Sequence, residues 1–156
     1  MNTLTHRKAK LVDLPRLIEL LLEDELGKTR ESHLAPLHEN YINAFHKIDS
    51  DPNHYLMVVE NGDEIIGTCQ LTIMPSLTFL GSTRMQIEAV RVLGKYRGHK
   101  IGTWIFDQAI NYAKAHDVAI IQLTTHKKRV RAKHFYEKLG FESSHEGMKL
   151  YLEHHD

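Results

Sequence analysis

Residues 90 to 104, Val-Arg-Val-Leu-Gly-Lys-Tyr-Arg-Gly-His-Lys-Ile-Gly-Thr-Trp, run from the end of an apolar strand pattern through a basic, glycine-bearing loop into a helix start. That is the layout of an anion site. The first amides of a helix have no intrahelical partner and the helix dipole adds partial positive charge, so phosphate binds there readily. Gly98 and Gly102 let the backbone approach a ligand, and Arg97 and Lys100 add charge. Ile101, Ile105, Ala109 and Tyr112 give the following helix an apolar stripe. A P-loop is excluded by offset, because Gly94 and Gly98 stand one residue too close and Ile101 follows Lys100. A dinucleotide fingerprint is excluded because Gly-x-Gly occurs nowhere.

The rest of the chain supplies the frame around that stretch. Residues 3 to 10 read as a first strand. Asp13 is placed to cap a helix with Pro15 in its first turn, and Leu14, Leu17, Ile18, Leu21 and Leu22 recur at core-facing spacing. A second helix is expected over 34 to 48, with Leu37, Tyr41, Phe45 and Ile48 on one face and Asp51-Pro52-Asn53 as its stop. Asn61-Gly62 reads as the tight turn of a hairpin between arms 55–60 and 64–74. Over 84 to 92, strict alternation places Glu88 on the same face as Val90 and Val92. A helix to about 116, a strand over 118–124, a helix over 130–139 capped by Gly140, and a closing hairpin of 141–144 with 148–152 complete the order. This order predicts one α+β domain over 1–156, with a mixed, largely antiparallel twisted sheet of about seven strands flanked by about four helices.

Arg97-Gly98-His99-Lys100-Ile101-Gly102 fits the pattern Arg/Gln-x-x-Gly-x-Gly/Ala, with Lys100 where the first glycine is expected. Downstream, Ala132-Lys133-His134-Phe135-Tyr136-Glu137-Lys138-Leu139-Gly140-Phe141 follows Ala-x-x-Phe-Tyr-x-x-x-Gly-Phe, and Val90-Arg91-Val92 ends five residues before Arg97. Together these resemble the GNAT superfamily of acyl-CoA-dependent N-acyltransferases, whose three-layer fold has the same element order. The resemblance covers about Ile87 to Phe141. It implies acetyl-CoA as co-substrate, with Val90, Arg91 and Val92 along the pantetheine arm and the amides of Arg97, Gly98, His99, Lys100, Ile101, Gly102 and Thr103 around the pyrophosphate. It further implies Glu88 as general base and Tyr136 as hydrogen-bond donor to the departing thiolate.

Amines are mostly protonated near pH 7, so a base is useful, and His126 or His134 are the alternatives to Glu88. Two positions depart from the family. Lys100 replaces a glycine, which predicts a backbone position open to side chains. Arg129 stands where an asparagine often contacts the cofactor, and it is expected to reach the phosphates instead.

Net charge is zero, yet residues 81–140 hold 12 Lys or Arg against four acids, a surplus of +8, and residues 13–64 hold 12 acids against four bases. A basic half suits a polyanionic cofactor; Glu23-Asp24-Glu25, Glu31 and Glu39 hint at a cationic acceptor. The acceptor is expected to be a small-molecule or peptide amine, and a homodimer is possible. The run Lys127-Lys128-Arg129-Val130-Arg131-Ala132-Lys133 sustains a nucleic-acid-binding rival, although no aromatic is interleaved there. A regulator that binds acyl-CoA without turnover is a third alternative. Twelve histidines include no His-x-x-x-His or His-Glu-x-x-His, so no metal is expected. Cys69, alone in the sequence, reads as a core thiol. No stretch approaches a membrane span and the first residues lack a signal-peptide pattern, so a cytoplasmic location is expected.

Overall fold

In a computed structural model the described residues are 3–24, 26–32 and 36–153. They divide into two compact units, residues 1–122 and residues 123–156. The first holds β1 (Leu4–Lys8), α1 (Leu14–Leu22), α2 (Gly27–Arg30), α3 (Glu39–Ser50), β2 (His54–Asn61), β3 (Glu64–Met74), α4 (Thr78–Gly81), β4 (Thr83–Val92), α5 (Ile101–Ala115) and β5 (Val118–Gln122). The second holds α6 (Val130–Lys138).

The sheet has sequential order β1-β2-β3-β4-β5. Neighbours are antiparallel except β4 and β5, which run parallel, as the α5 crossover between them requires. Adjacent residues of a strand face opposite ways, and β3 shows what lies on each side. A Cβ on Gly67 would meet Ile105 of α5 at 3.3 Å, so α5 packs close on one face. Thr68, next in the chain, lines a pocket with α1 and α3 on the other. Leu14, Leu17, Leu20, Phe45 and Val58 bury that second layer, while Ile105, Phe106 and Ala109 of α5 are wholly buried on the first.

Asp13 departs from its expected role. Its carboxylate accepts from the Lys10 amide at 2.7 Å, closing the 3-10 turn ahead of α1, and takes a two-pronged bond from Arg7 at 2.7 and 3.0 Å. It is 6% exposed, and the Arg7 hydrogen bond, opposed by burial, holds its carboxyl below the usual range. Gly62 takes the positive φ of the hairpin turn at 62°, while Asn61 stays in the ladder opposite Glu64.

The expected count of seven strands and four helices is corrected to five strands and six helices among the described residues. The extra helices are the single turns α2 and α4. The missing strands are the closing hairpin. Neither 141–144 nor 148–152 forms a strand, and residues 142–153 are exposed throughout. Two short arms without a covered face are marginal by themselves. The start of the second expected helix at residue 34 and the terminal histidines fall outside the described residues; the helix begins at Glu39, after His38 accepts from the Asn40 amide at 3.1 Å.

Candidate active site

The backbone of β4 sets the site. Its parallel pairing with β5 ends at Gln86 opposite Gln122, while β4 continues to Val92. From Ile87 onward the strand therefore offers its N–H and C=O groups along that edge without a β5 partner. Against β3 the register slips by one residue. Gln70 pairs with Glu88 and Thr68 with Arg91, which leaves Ala89 and Val90 together opposite Cys69. This is a β-bulge, and Ala89 adopts a left-handed φ of 53° within it.

The bulge overturns the expected facing. With two residues against one, alternation changes phase, so Glu88 shares its face with Gln70 and Arg91 rather than with Val90 and Val92. Glu88 thus lies on the side of α1 and α3. It is exposed and makes no ion pair among the described residues.

Beside it runs a polar strip that sequence reading missed. His54 Nδ1 lies 3.3 Å from Gln70 Nε2 and 3.2 Å from the Thr72 hydroxyl, and His54 Nε2 lies 3.5 Å from Asp51. On β4, Gln86 accepts from Gln122 at 3.0 Å. The signal was available: Thr68, Gln70 and Thr72 recur at period two inside an otherwise apolar arm.

After β4, a 3-10 turn over Gly94–Tyr96 leads to the loop. The first i→i−4 bond of α5 is Trp104 N–H to Lys100 C=O at 3.1 Å, so the amides of Ile101, Gly102 and Thr103 precede the helical ladder. Gly98 has φ 82°, and nothing lies within 4 Å of where its Cβ would stand. Lys100 corrects its expectation: it occupies the left-handed region at φ 61°, the conformation a glycine would take there freely. Arg97, His99 and Lys100 are exposed.

Two acids flagged for an acceptor serve the scaffold instead. Glu23 accepts from the Gly94 amide at 2.9 Å and lies 3.9 Å from Arg97; Asp24 accepts from the Gly27 amide and lies 3.9 Å from Arg91. Arg91 also donates to the Val90 carbonyl at 2.9 Å.

Between α1, α3 and the bulge lies a pocket of about 130 Å³, bounded by Leu17, Ile18 and Phe45 within and by Ala44, Gln70 and Ala89 toward solvent. Cys69 is fully buried, and burial pushes its thiol up to about 12, which removes it as a nucleophile near neutrality.

In the second unit, α6 closes with two bonds, Phe141 N–H to Tyr136 C=O at 3.1 Å and Gly140 N–H to Glu137 C=O at 3.0 Å. Gly140 supplies the positive φ, 102°, and the Tyr136 and Phe141 rings meet at 6.1 Å. This Schellman closure gives the Phe-Tyr-x-x-x-Gly-Phe spacing a physical cause. Arg129 stands at the start of α6 and His126 accepts from the Lys128 amide at 3.1 Å; His134 is exposed. No cluster of three His, Cys, Asp or Glu fit to hold a metal occurs among the described residues, and no helix among them is long and apolar enough to cross a membrane.

A structure from Bacillus halodurans C-125 described as a transcriptional regulator matches with TM-score 0.93 at 43% identity, over 96% of this chain and 100% of that one. Glucosamine-6-phosphate N-acetyltransferase from Arabidopsis thaliana shares the fold, with TM-score 0.78 at 24% identity over 97% and 100% of the two chains. Aminoalkylphosphonate N-acetyltransferase from Salmonella typhimurium is 32% identical over 99 residues, and the match spans 61% of each protein. The model of the acetyltransferase (GNAT) family matches residues 14–141, most of the sequence and all of the site described above, and the chain belongs to that family.

Proposed function

We propose that the protein is an N-acetyltransferase that moves an acetyl group from acetyl-CoA to a primary amine by direct attack, within one domain spanning both compact units. The observation that carries this is the bulged β4 with its open edge, which runs into the amides at the start of α5. The residues fit the cofactor: a bare strand edge suits an amide-bearing arm, and Arg97, Lys100 and three free-facing amides suit a pyrophosphate. The thioester of acetyl-CoA supplies the activated acyl group.

Val90, Arg91 and Val92 align the donor through their backbone. The amides of Ile101, Gly102 and Thr103 with the side chains of Arg97 and Lys100 hold its phosphates, Arg129 being a further contact, while the Arg97 and His99 amides, expected to join them, are bonded to the Gly94 and Tyr96 carbonyls. The amine nitrogen forms a bond to the thioester carbon while the C–S bond breaks and its electron pair leaves on sulfur. Glu88 takes the amine proton, directly or through one water. The bulge frees backbone groups at Ala89–Val90 from the ladder, and an N–H there stabilises the developing oxyanion. Tyr136, matched by the family motif, hydrogen-bonds the departing thiolate. Direct transfer is supported by Cys69, whose burial denies an acyl-enzyme route through that thiol.

The test follows CoA thiol release with a panel of amines. Glu88→Gln is expected to lower kcat/KM by about 10²- to 10⁴-fold, and Tyr136→Phe to lower kcat by about 10- to 100-fold, each with acetyl-CoA affinity retained. Failure of the protein to bind acetyl-CoA overturns the assignment. A second reading, nucleic-acid contact through the basic run 127–133, draws on the description of the Bacillus halodurans neighbour and on the exposure of Lys127, Lys128, Arg131 and Lys133. Steeply salt-dependent DNA affinity, lost when these four are neutralised, supports it; its absence overturns it.

A further inference from the structure

The pocket between α1, α3 and β4 says what kind of amine belongs there. Its volume, about 130 Å³, is close to that of an engineered apolar cavity of ~150 Å³ that takes up benzene. Among the described residues that line it, none carries a charge. Leu17, Ile18 and Phe45 are each at most 5% exposed and form its inner wall. The one phenol present, Tyr41, is turned to other use, accepting from the Ser32 amide at 3.0 Å and donating to Glu31 at 2.9 Å. Glu31 is thereby engaged outside the pocket, as Glu23 and Asp24 are engaged by the loop and Arg91. Polarity is confined to the sheet side: Thr68 already donates to the Met57 carbonyl at 2.7 Å, which leaves Gln70 at the mouth, directly opposite Glu88 in the ladder. An amine entering with its nitrogen toward Gln70 and Glu88 must put its remaining carbons against leucine, isoleucine and phenylalanine.

We propose that the acceptor is a primary monoamine with a compact apolar body of about six carbons, excluding polyamines and amines that bear an anionic group. This rests on the N-acetyltransferase assignment and narrows its substrate class. An ammonium or phosphonate carried into the pocket would lose its hydration with no opposite charge among the described lining residues to meet it. Each buried methylene is instead worth about fourfold in affinity.

The experiment measures kcat/KM for n-propylamine, n-hexylamine, benzylamine, spermidine and 2-aminoethylphosphonate at saturating acetyl-CoA. The expected result is a rise of about fourfold per methylene that levels off near six carbons, with spermidine and 2-aminoethylphosphonate at least tenfold below n-hexylamine. Ala44 is exposed on α3 yet lines the pocket, so Ala44→Trp fills it without replacing a core residue. That variant is expected to raise the KM for n-hexylamine at least tenfold while leaving acetyl-CoA affinity unchanged. Ala44→Leu, a smaller filler, moves the plateau to shorter amines and keeps the test open if the tryptophan variant fails to fold. Turnover of spermidine or 2-aminoethylphosphonate above that of every monoamine overturns the proposal and leaves N-acetyl transfer standing. So does an n-hexylamine KM indifferent to both substitutions. Absence of CoA release with all five amines overturns this proposal, and failure to bind acetyl-CoA overturns the N-acetyltransferase assignment with it.

Discussion

The two sides of β4 are built from different materials. On the proposed donor side, the open edge and the start of α5 present backbone N–H and C=O groups, and the loop side chains Arg97, His99 and Lys100 are exposed. On the proposed acceptor side, the pocket is walled mostly by side chains of α1 and α3, whose backbone is locked away in helices. A backbone surface depends on conformation and tolerates changes of side-chain identity that keep φ and ψ. A side-chain surface depends on volume and on the anchoring of the helices that carry it.

The sharpest break in this contrast should come at Asp13, which ties α1 to β1 through Arg7. Asp13→Ala leaves a half-buried guanidinium with fewer partners, at a cost of about 3 kcal/mol and a Tm lower by roughly 6–12 °C. Its binding effect is expected on the amine KM, with acetyl-CoA affinity intact at low temperature. The same carboxyl gives a pH signature. Its folded-state pKa lies below the unfolded value of ~3.9, so its stabilisation is present above that pH and is lost as pH falls through the folded value. Thermal melts between pH 6 and 2 should show a shallower acid decline for Asp13→Asn than for the parent. A parallel decline removes the assigned role.

Gly98→Val attacks the other surface. Forcing a β-branched residue to φ 82° costs roughly 1–2 kcal/mol, which predicts acetyl-CoA binding weakened by about tenfold in calorimetry while the amine KM holds. Equal loss of both would merge the two surfaces into one. The smallest effect belongs to Lys100→Gly, which relieves a left-handed side chain and is expected to raise Tm by about 1–3 °C. Acetyl-CoA affinity should fall less than threefold, the loss of one exposed charge. A tenfold fall would show that the loop works through its side chains after all.

What the sequence disclosed follows the same division. The glycine-bearing loop and the Phe-Tyr-x-x-x-Gly-Phe closure were legible because a demanding backbone conformation leaves a mark: Gly98 and Gly140 both take positive φ. The hairpin at Gly62 was legible from turn chemistry, and periodicity found Leu14, Leu17 and Ile18 of the α1 core, although Leu20 is buried where Leu21 and Leu22, only half-buried, were expected. The bulge was not, since Ala89 and Val90 are ordinary strand residues and no glycine announces the extra position. One hidden residue was enough to place Glu88 on the wrong face. Lys100 misled for the converse reason: a lysine stands where the backbone still wants a glycine. The acids Glu23 and Asp24 were visible as charge, but only the fold brings Gly94 and Arg91 within their reach. The closing hairpin had alternation in its letters, and its arms form no strand.

The bulge also limits how the length of this chain can vary. Deleting Ala89 would restore an unbroken ladder against β3, but one flank would then have to turn over. Either Glu88 rotates into the layer under α5, or Arg91 leaves Asp24 and the donor edge beyond it inverts. The segment from Glu88 to Arg91 is therefore a place where the number of residues is as constrained as their identity.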